Sequence, residues 1–183
     1  MRRMTVAAVL SVSLSACGVL HLDVGPTMPL NKYGGPVMNQ NDAIAVSSYA
    51  LEDPANTRGD PELAARAIAA EDWLSHQYLM TQDFGEYMPV NQVQWVAFSD
   101  EVRRAIGVPT SAPAQDVVDR LIAASDELKA GDQAAAEAQL QPPTFSLGPQ
   151  QTIAALGDLP AFSDWSWAYT DLRNNENRST GHS

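Results

Sequence analysis

Cysteine occurs once in 183 residues, at position 17, so no internal disulfide can staple this chain. An unpaired cysteine asks for an explanation of its own. Histidine occurs three times: His21 and His182 near the ends, and His76 in the body. There is no Gly-x-Ser-x-Gly turn to present a serine nucleophile to His76, and this disfavours serine hydrolase chemistry. Basic residues are scarce, 11 against 22 acidic ones. Nucleic-acid binding needs a basic surface that displaces phosphate counterions, so a nucleic-acid partner is not expected. Long apolar runs are missing as well. The longest uncharged apolar stretch is Thr5–Ala16. A membrane-crossing helix needs about 20 such residues, whereas the core of an export signal needs only about 7–15. Aromatics make up 7 % of the chain, and no segment alternates apolar and polar residues with the period of a strand.

What is present begins with Met1-Arg2-Arg3, a short positive start before the apolar stretch. This order reads as a signal peptide over residues 1–16. It ends in Leu14-Ser15-Ala16-Cys17, an aliphatic residue, two small residues and the cysteine. The tetrad resembles the lipobox of bacterial lipoproteins. That resemblance implies a thioether from Cys17 to a diacylglycerol, cleavage before Cys17, and a further acyl chain such as palmitate on the new amine. Two or more acyl chains hold a protein stably to a bilayer, whereas one does so marginally. Gly18 follows the cysteine, where an aspartate often retains family members in the inner membrane. The resemblance therefore implies a Gram-negative outer membrane location, with the body facing the periplasm.

Loss of residues 1–16 removes Arg2 and Arg3 and no acid. The chain from Cys17 onward carries nine basic and 22 acidic residues, a net charge near −13. Such a charge keeps a protein soluble and draws cations or basic partners.

Residues 17–40 contain Pro26, Pro29, Gly34-Gly35 and Pro36, and read as a lipidated cysteine followed by a flexible tether. Residues 41–172 read as one all-α domain, a bundle of five to seven helices. Ile44, Ser48 and Leu51 share one face of the first. Asp60 caps the second, Pro61 opens it, and Leu63, Ala67, Ala70, Leu74 and Tyr78 follow at helical spacing. Trp95, Phe98, Val102 and Ile106 mark a third over about 90–106. Val117, Val118, Leu121, Ile122 and Leu128 mark a fourth, from Pro113 to Gly131. A short alanine-rich helix runs from Asp132 to Leu140, another from Pro149 to Gly157, and a last from Ser163 to Leu172. The Leu128–Ala136 turn resembles a tetratricopeptide helix–turn–helix junction, without a second copy at the period of about 34 residues. Residues 173–183 lack apolar side chains and read as a disordered tail.

Few residues invite chemistry. Asp72 and His76 lie four apart on a helix and could face one ion, but the spacing also suits a surface couple that stabilises the helix. Glu71 is adjacent and points elsewhere. Glu86, in Phe84-Gly85-Glu86-Tyr87, is an acid in a loop beside aromatics, and one well-placed acid can serve glycan cleavage. Trp165-Ser166-Trp167-Ala168-Tyr169 is the most distinctive cluster. On a helix Trp165 and Tyr169 share a face and Trp167 points away, which makes the three a candidate interface or a docked terminal helix. Neither a catalytic residue nor a metal ligand set nor a cofactor is expected. The expectation is a lipid-anchored envelope protein that holds or assists another envelope protein. The alternatives are a module for a cationic or metal ligand, and an envelope hydrolase.

Overall fold

Helix after helix begins and ends where its capping chemistry permits. The computed structural model describes residues 25–80, 89–163, 165, 166 and 169. Among them are six α-helices and no strand: α1 (Gln40–Glu52), α2 (Pro61–Met80), α3 (Pro89–Ala105), α4 (Ala114–Ala130), α5 (Gln133–Gln139) and α6 (Pro149–Leu156). The fold is all-α, as the apolar spacing predicts.

Asn39 opens α1. Its side chain accepts from the Asp42 backbone N–H at 2.9 Å, and the Asp42 carboxylate accepts from Asn39 N–H, a reciprocal cap. Asp60 accepts from Leu63 N–H at 3.0 Å at the start of α2. Gly131 closes α4 in the left-handed region, φ +77°, and its N–H meets the carbonyls of Glu127 and Leu128. Asp132 then caps α5 through Ala135 N–H at 3.0 Å.

The centre of the molecule is α2, which packs against α1, α3, α4 and α6. Ala64, Ala65, Ala67, Ile68, Ala69 and Ala70 are all buried, so most of its middle is enclosed, with Arg66 left at the edge. Alanines suit that place because small side chains let neighbouring helices approach closely. Ile44 and Leu51 of α1, Trp95, Phe98 and Val102 of α3, and Val117, Val118, Leu121 and Ile122 of α4 complete the core. Ile106, in the turn after α3, is buried as well.

The segment before α1 departs from the expected tether over 17–40. Its described part, residues 25–39, lies against the body. Met28 and Met38 are buried in the core cluster. Thr27 N–H donates to Gln115 Oε1 at 2.7 Å, Gln115 Nε2 returns a bond to the Thr27 carbonyl at 3.0 Å, and Gln77 Nε2 donates to the Pro26 carbonyl at 2.8 Å. Two methionines among prolines and glycines supply the burial that composition alone obscures. The described part of the expected tether, from residue 25 on, is therefore not free.

Leu159 is buried after α6, and Phe162 is half-buried against the core. The expected last helix, Ser163 to Leu172, falls largely outside the described residues; Trp165, Ser166 and Tyr169 have helical backbone.

Candidate functional site

Glu71, Asp72 and Arg103 form the strongest concentration of charge inside the described fold. Their exposures are 0, 0 and 2 %. Charged side chains are almost never so buried unless they are paired. Asp72 and Arg103 are paired side-on: Arg103 Nε donates to Asp72 Oδ1 at 2.5 Å, and the second guanidinium nitrogen donates to Oδ2 at 3.0 Å. The other terminal nitrogen reaches the carbonyls of Ala112 at 3.0 Å and Thr110 at 3.4 Å in the turn before α4. One guanidinium thus ties α2, α3 and the α3–α4 turn together. Burial opposes the Arg103 charge, but the Asp72 carboxylate more than offsets it, and the pKa of Arg103 is raised.

Glu71 has no such partner. Burial, followed by the neighbouring Asp72 charge, pushes its carboxyl well above the ordinary glutamate range, although Arg103 and the Ser99 hydroxyl oppose this. Its Oε1 has no hydrogen-bond partner. Ser99 Oγ lies 3.5 Å from Oε2 and 3.3 Å from Ser75 Oγ, while Ser75 donates to the Asp72 carbonyl at 2.9 Å. A hydroxyl has a single proton to give. The Ser99 hydroxyl is therefore shared between Glu71 Oε2 and Ser75 Oγ and can donate to only one of them at a time.

Asp72 and His76 do not form the surface couple that their spacing predicts. The carboxylate of Asp72 turns inward to Arg103, and His76 Nδ1 lies 2.8 Å from the Asp72 backbone carbonyl instead. Among the described residues, no three of His, Cys, Asp or Glu converge as metal ligands. Glu71, read as pointing away from this pair, points into the core. The sequence held a signal for this. Glu71 is four residues after Ala67 and three before Leu74, so it falls on the apolar face of α2. Arg103, next to Val102 in the stripe of α3, is the partner of Asp72.

Of the C-terminal aromatics, the structure describes Trp165 and Tyr169. Tyr169 is wholly buried against the body. Its ring lies 5.6 Å from Trp95, 5.9 Å edge-on from Phe98, and is stacked at 5.6 Å and 28° on Trp165. Four large rings gain more from mutual packing than from exposure. Burial, and then the Glu71 charge, raise the Tyr169 phenol well above its ordinary range, and Ser47 of α1 acts against them. Trp165 is half-buried beside it. Cys17, Glu86 and Trp167 lie outside the described residues.

A second polar joint lies at the start of α4. Arg120 Nε pairs with Asp116 Oδ1 at 2.7 Å, and Thr144 donates to the other carboxylate oxygen. Partial burial would raise the Asp116 carboxyl, but the Thr144 bond and the Arg120 charge outweigh it and leave it below the ordinary aspartate range. Arg120 also donates to the Gln139 carbonyl at 3.2 Å, so the joint fixes α5 and the loop after it to α4.

Both arrangements are suited to holding helices together. The Glu71, Asp72 and Arg103 side chains are buried between α2 and α3. Comparison with known proteins finds no matching family model, no matching curated protein and no matching solved structure.

Proposed function

We propose that the chain is exported and anchored through lipid on Cys17, and that its helical body serves another envelope protein as a holder or assembly factor without catalysing a reaction. The observation that carries this reading is Leu14-Ser15-Ala16-Cys17, with the only cysteine of the chain, at the end of a short uncharged apolar stretch behind two arginines. Gly18 in place of an aspartate favours the outer membrane, with the body in the periplasm. The buried Asp72 is spent on holding α2 to α3 through Arg103, which suits a structural part. The net charge near −13 after cleavage supports a soluble domain with a partner other than nucleic acid.

The test is Cys17→Ser with cell fractionation. The native chain is expected in the membrane fraction, labelled by a fatty-acid probe. The variant is expected to lose the label and to keep residues 1–16. A native chain without label would overturn the anchor. Crosslinking in intact cells then addresses the partner, and recovery of no envelope protein would count against the holder role.

A further inference from the structure

The segment closest to Cys17 in the described chain carries its most exposed large apolar side chains. Leu30 is 70 % and Tyr33 84 % exposed. They do not hang on a loose strand. An isolated bridge pairs Leu30 with Pro36, and Val37 N–H donates to the Pro29 carbonyl at 2.8 Å. Inside the turn, Asn31 N–H donates to the Gly35 carbonyl at 2.7 Å, and Gly34 N–H to the Asn31 carbonyl at 2.9 Å. The Asn31 side chain accepts from Tyr33 N–H at 2.9 Å and donates to the Pro36 carbonyl at 3.1 Å. Gly34 takes φ +81°. The turn is thus built from both ends, and its base is fixed to the body by Met28, Met38 and the Thr27–Gln115 bonds. A rigid turn that presents leucine and tyrosine to water has gained nothing from folding by doing so.

Its charge is equally distinct. Between Asp23 and Asp42 the sole charged residue is Lys32, in a chain with twice as many acids as bases. Lys32 Nζ sits 5.0 Å from the Tyr33 ring centre. An apolar side chain, a tyrosine and one lysine match the boundary of a bilayer: the leucine enters the acyl region, the tyrosine sits at headgroup level, and the lysine reaches back to phosphate. An acidic protein would otherwise be repelled by anionic headgroups, and this is a stretch of it that would not be.

We propose that the Leu30–Pro36 turn docks into the headgroup layer of the bilayer that holds the Cys17 acyl chains. The inference rests on the lipid anchor proposed above. Cys17 and Leu30 are 13 residues apart, at most about 45 Å of extended chain, so the anchor keeps the turn within reach of the surface. An intramolecular second contact of this kind needs little affinity of its own. Two points of attachment, one covalent and one through the turn, fix which side of the bundle faces away from the membrane.

The test uses the full-length chain, purified from membranes and placed in vesicles of phosphatidylethanolamine and phosphatidylglycerol. Acylation consumes the Cys17 thiol, so Leu30→Cys, Tyr33→Cys and Gln133→Cys each carry one free thiol for a spin label. Gln133 is exposed beyond the far end of α4, about 22 Å along that helix from Gln115. Labels at 30 and 33 are expected to be shielded from a water-soluble nickel relaxant and accessible to oxygen, while the label at 133 reports water. Acylated protein in which labels at 30 and 33 behave like that at 133 overturns the docking turn and leaves the anchor standing. Mass spectrometry on the same samples reads Cys17 separately; an unacylated Cys17 overturns the anchor and this inference together.

Discussion

Two ion pairs that join α2 to its neighbours show how differently the same chemistry acts in two places. Arg66 of α2 reaches Asp126 of α4 at 2.6 Å, with side-chain exposures of 23 and 56 %. Arg103 of α3 reaches Asp72 of α2 at 2.5 Å, with exposures of 3 and 0 %. The distances are alike, but the energies are not. The outer pair exchanges water for a partner at nearly equal free energy and contributes about 0–1 kcal/mol. The inner pair has no water to return to, so the loss of either member strands a charge in the core. The outer seam tolerates change, whereas the inner layer dictates how α2, α3 and the turn before α4 fit together.

The largest effect is expected from Asp72→Ala. It leaves Arg103 buried and unpaired, and should cost about 3–5 kcal/mol in denaturant unfolding. Replacing Asp72 by Leu together with Arg103 by Met should recover most of that loss. A double variant as unstable as the single one would contradict the view that the stranded charge is the cause.

Next is Gly107→Ala, in the turn that supplies acceptors to Arg103. Gly107 has φ +72°, and an added Cβ would stand 2.4 Å from Leu147 Cγ and 3.1 Å from the Leu147 backbone nitrogen. Strain and collision together should cost about 1–3 kcal/mol in a thermal or urea melt. An unchanged melt would show that the turn adapts without disturbing the layer.

Glu71→Gln sharpens the comparison through pH. Because the folded-state pKa of Glu71 is raised, the folded protein holds a proton that the unfolded chain releases. Stability from this group is therefore complete below the ordinary glutamate range, and falls as the pH rises from there toward the raised value. Glutamine copies the neutral carboxyl and should flatten that fall, so the variant melts higher than the native chain at pH 8 and alike at pH 4. Asp116 has the opposite sign: its depressed pKa stabilises the fold above the ordinary aspartate range, and the gain is lost as the pH drops through that range. A native chain whose melting temperature does not change between pH 5 and 8 would argue against a raised Glu71 pKa.

The smallest effect should come from Asp126→Ala, within about 0.5 kcal/mol of the native stability and smaller still in high salt. A loss comparable to that of Asp72→Ala would erase the distinction between seam and layer.

The helix limits and apolar faces were open to reading in the sequence, and neither ion pair was. Helix limits followed from Asp60-Pro61, Gly131-Asp132 and Pro149, because caps and breakers act within a few residues. The apolar faces of α2, α3 and α4 followed from period alone. Arg103 opposite Asp72 could not be found this way, since the pairing spans 31 positions and depends on how two helices cross. Glu71 was legible in principle, as an acid on an apolar face, but local spacing does not say whether the face it shares is covered. Met28 and Met38 were hidden for a related reason: prolines and glycines dominate their surroundings, and burial of two side chains outweighed that local tendency. For Tyr169 the helical period put Trp165 on the same face correctly, but gave no sign that Trp95 and Phe98 would enclose the ring.

The lipid anchor carries the functional account, and intact-mass analysis of the mature protein from its native membrane tests it most directly. The predicted result is a chain that begins at Cys17 and carries a diacylglycerol on sulfur and an acyl chain on the new amine. A chain that retains residues 1–16, or begins elsewhere with Cys17 unmodified, would contradict it.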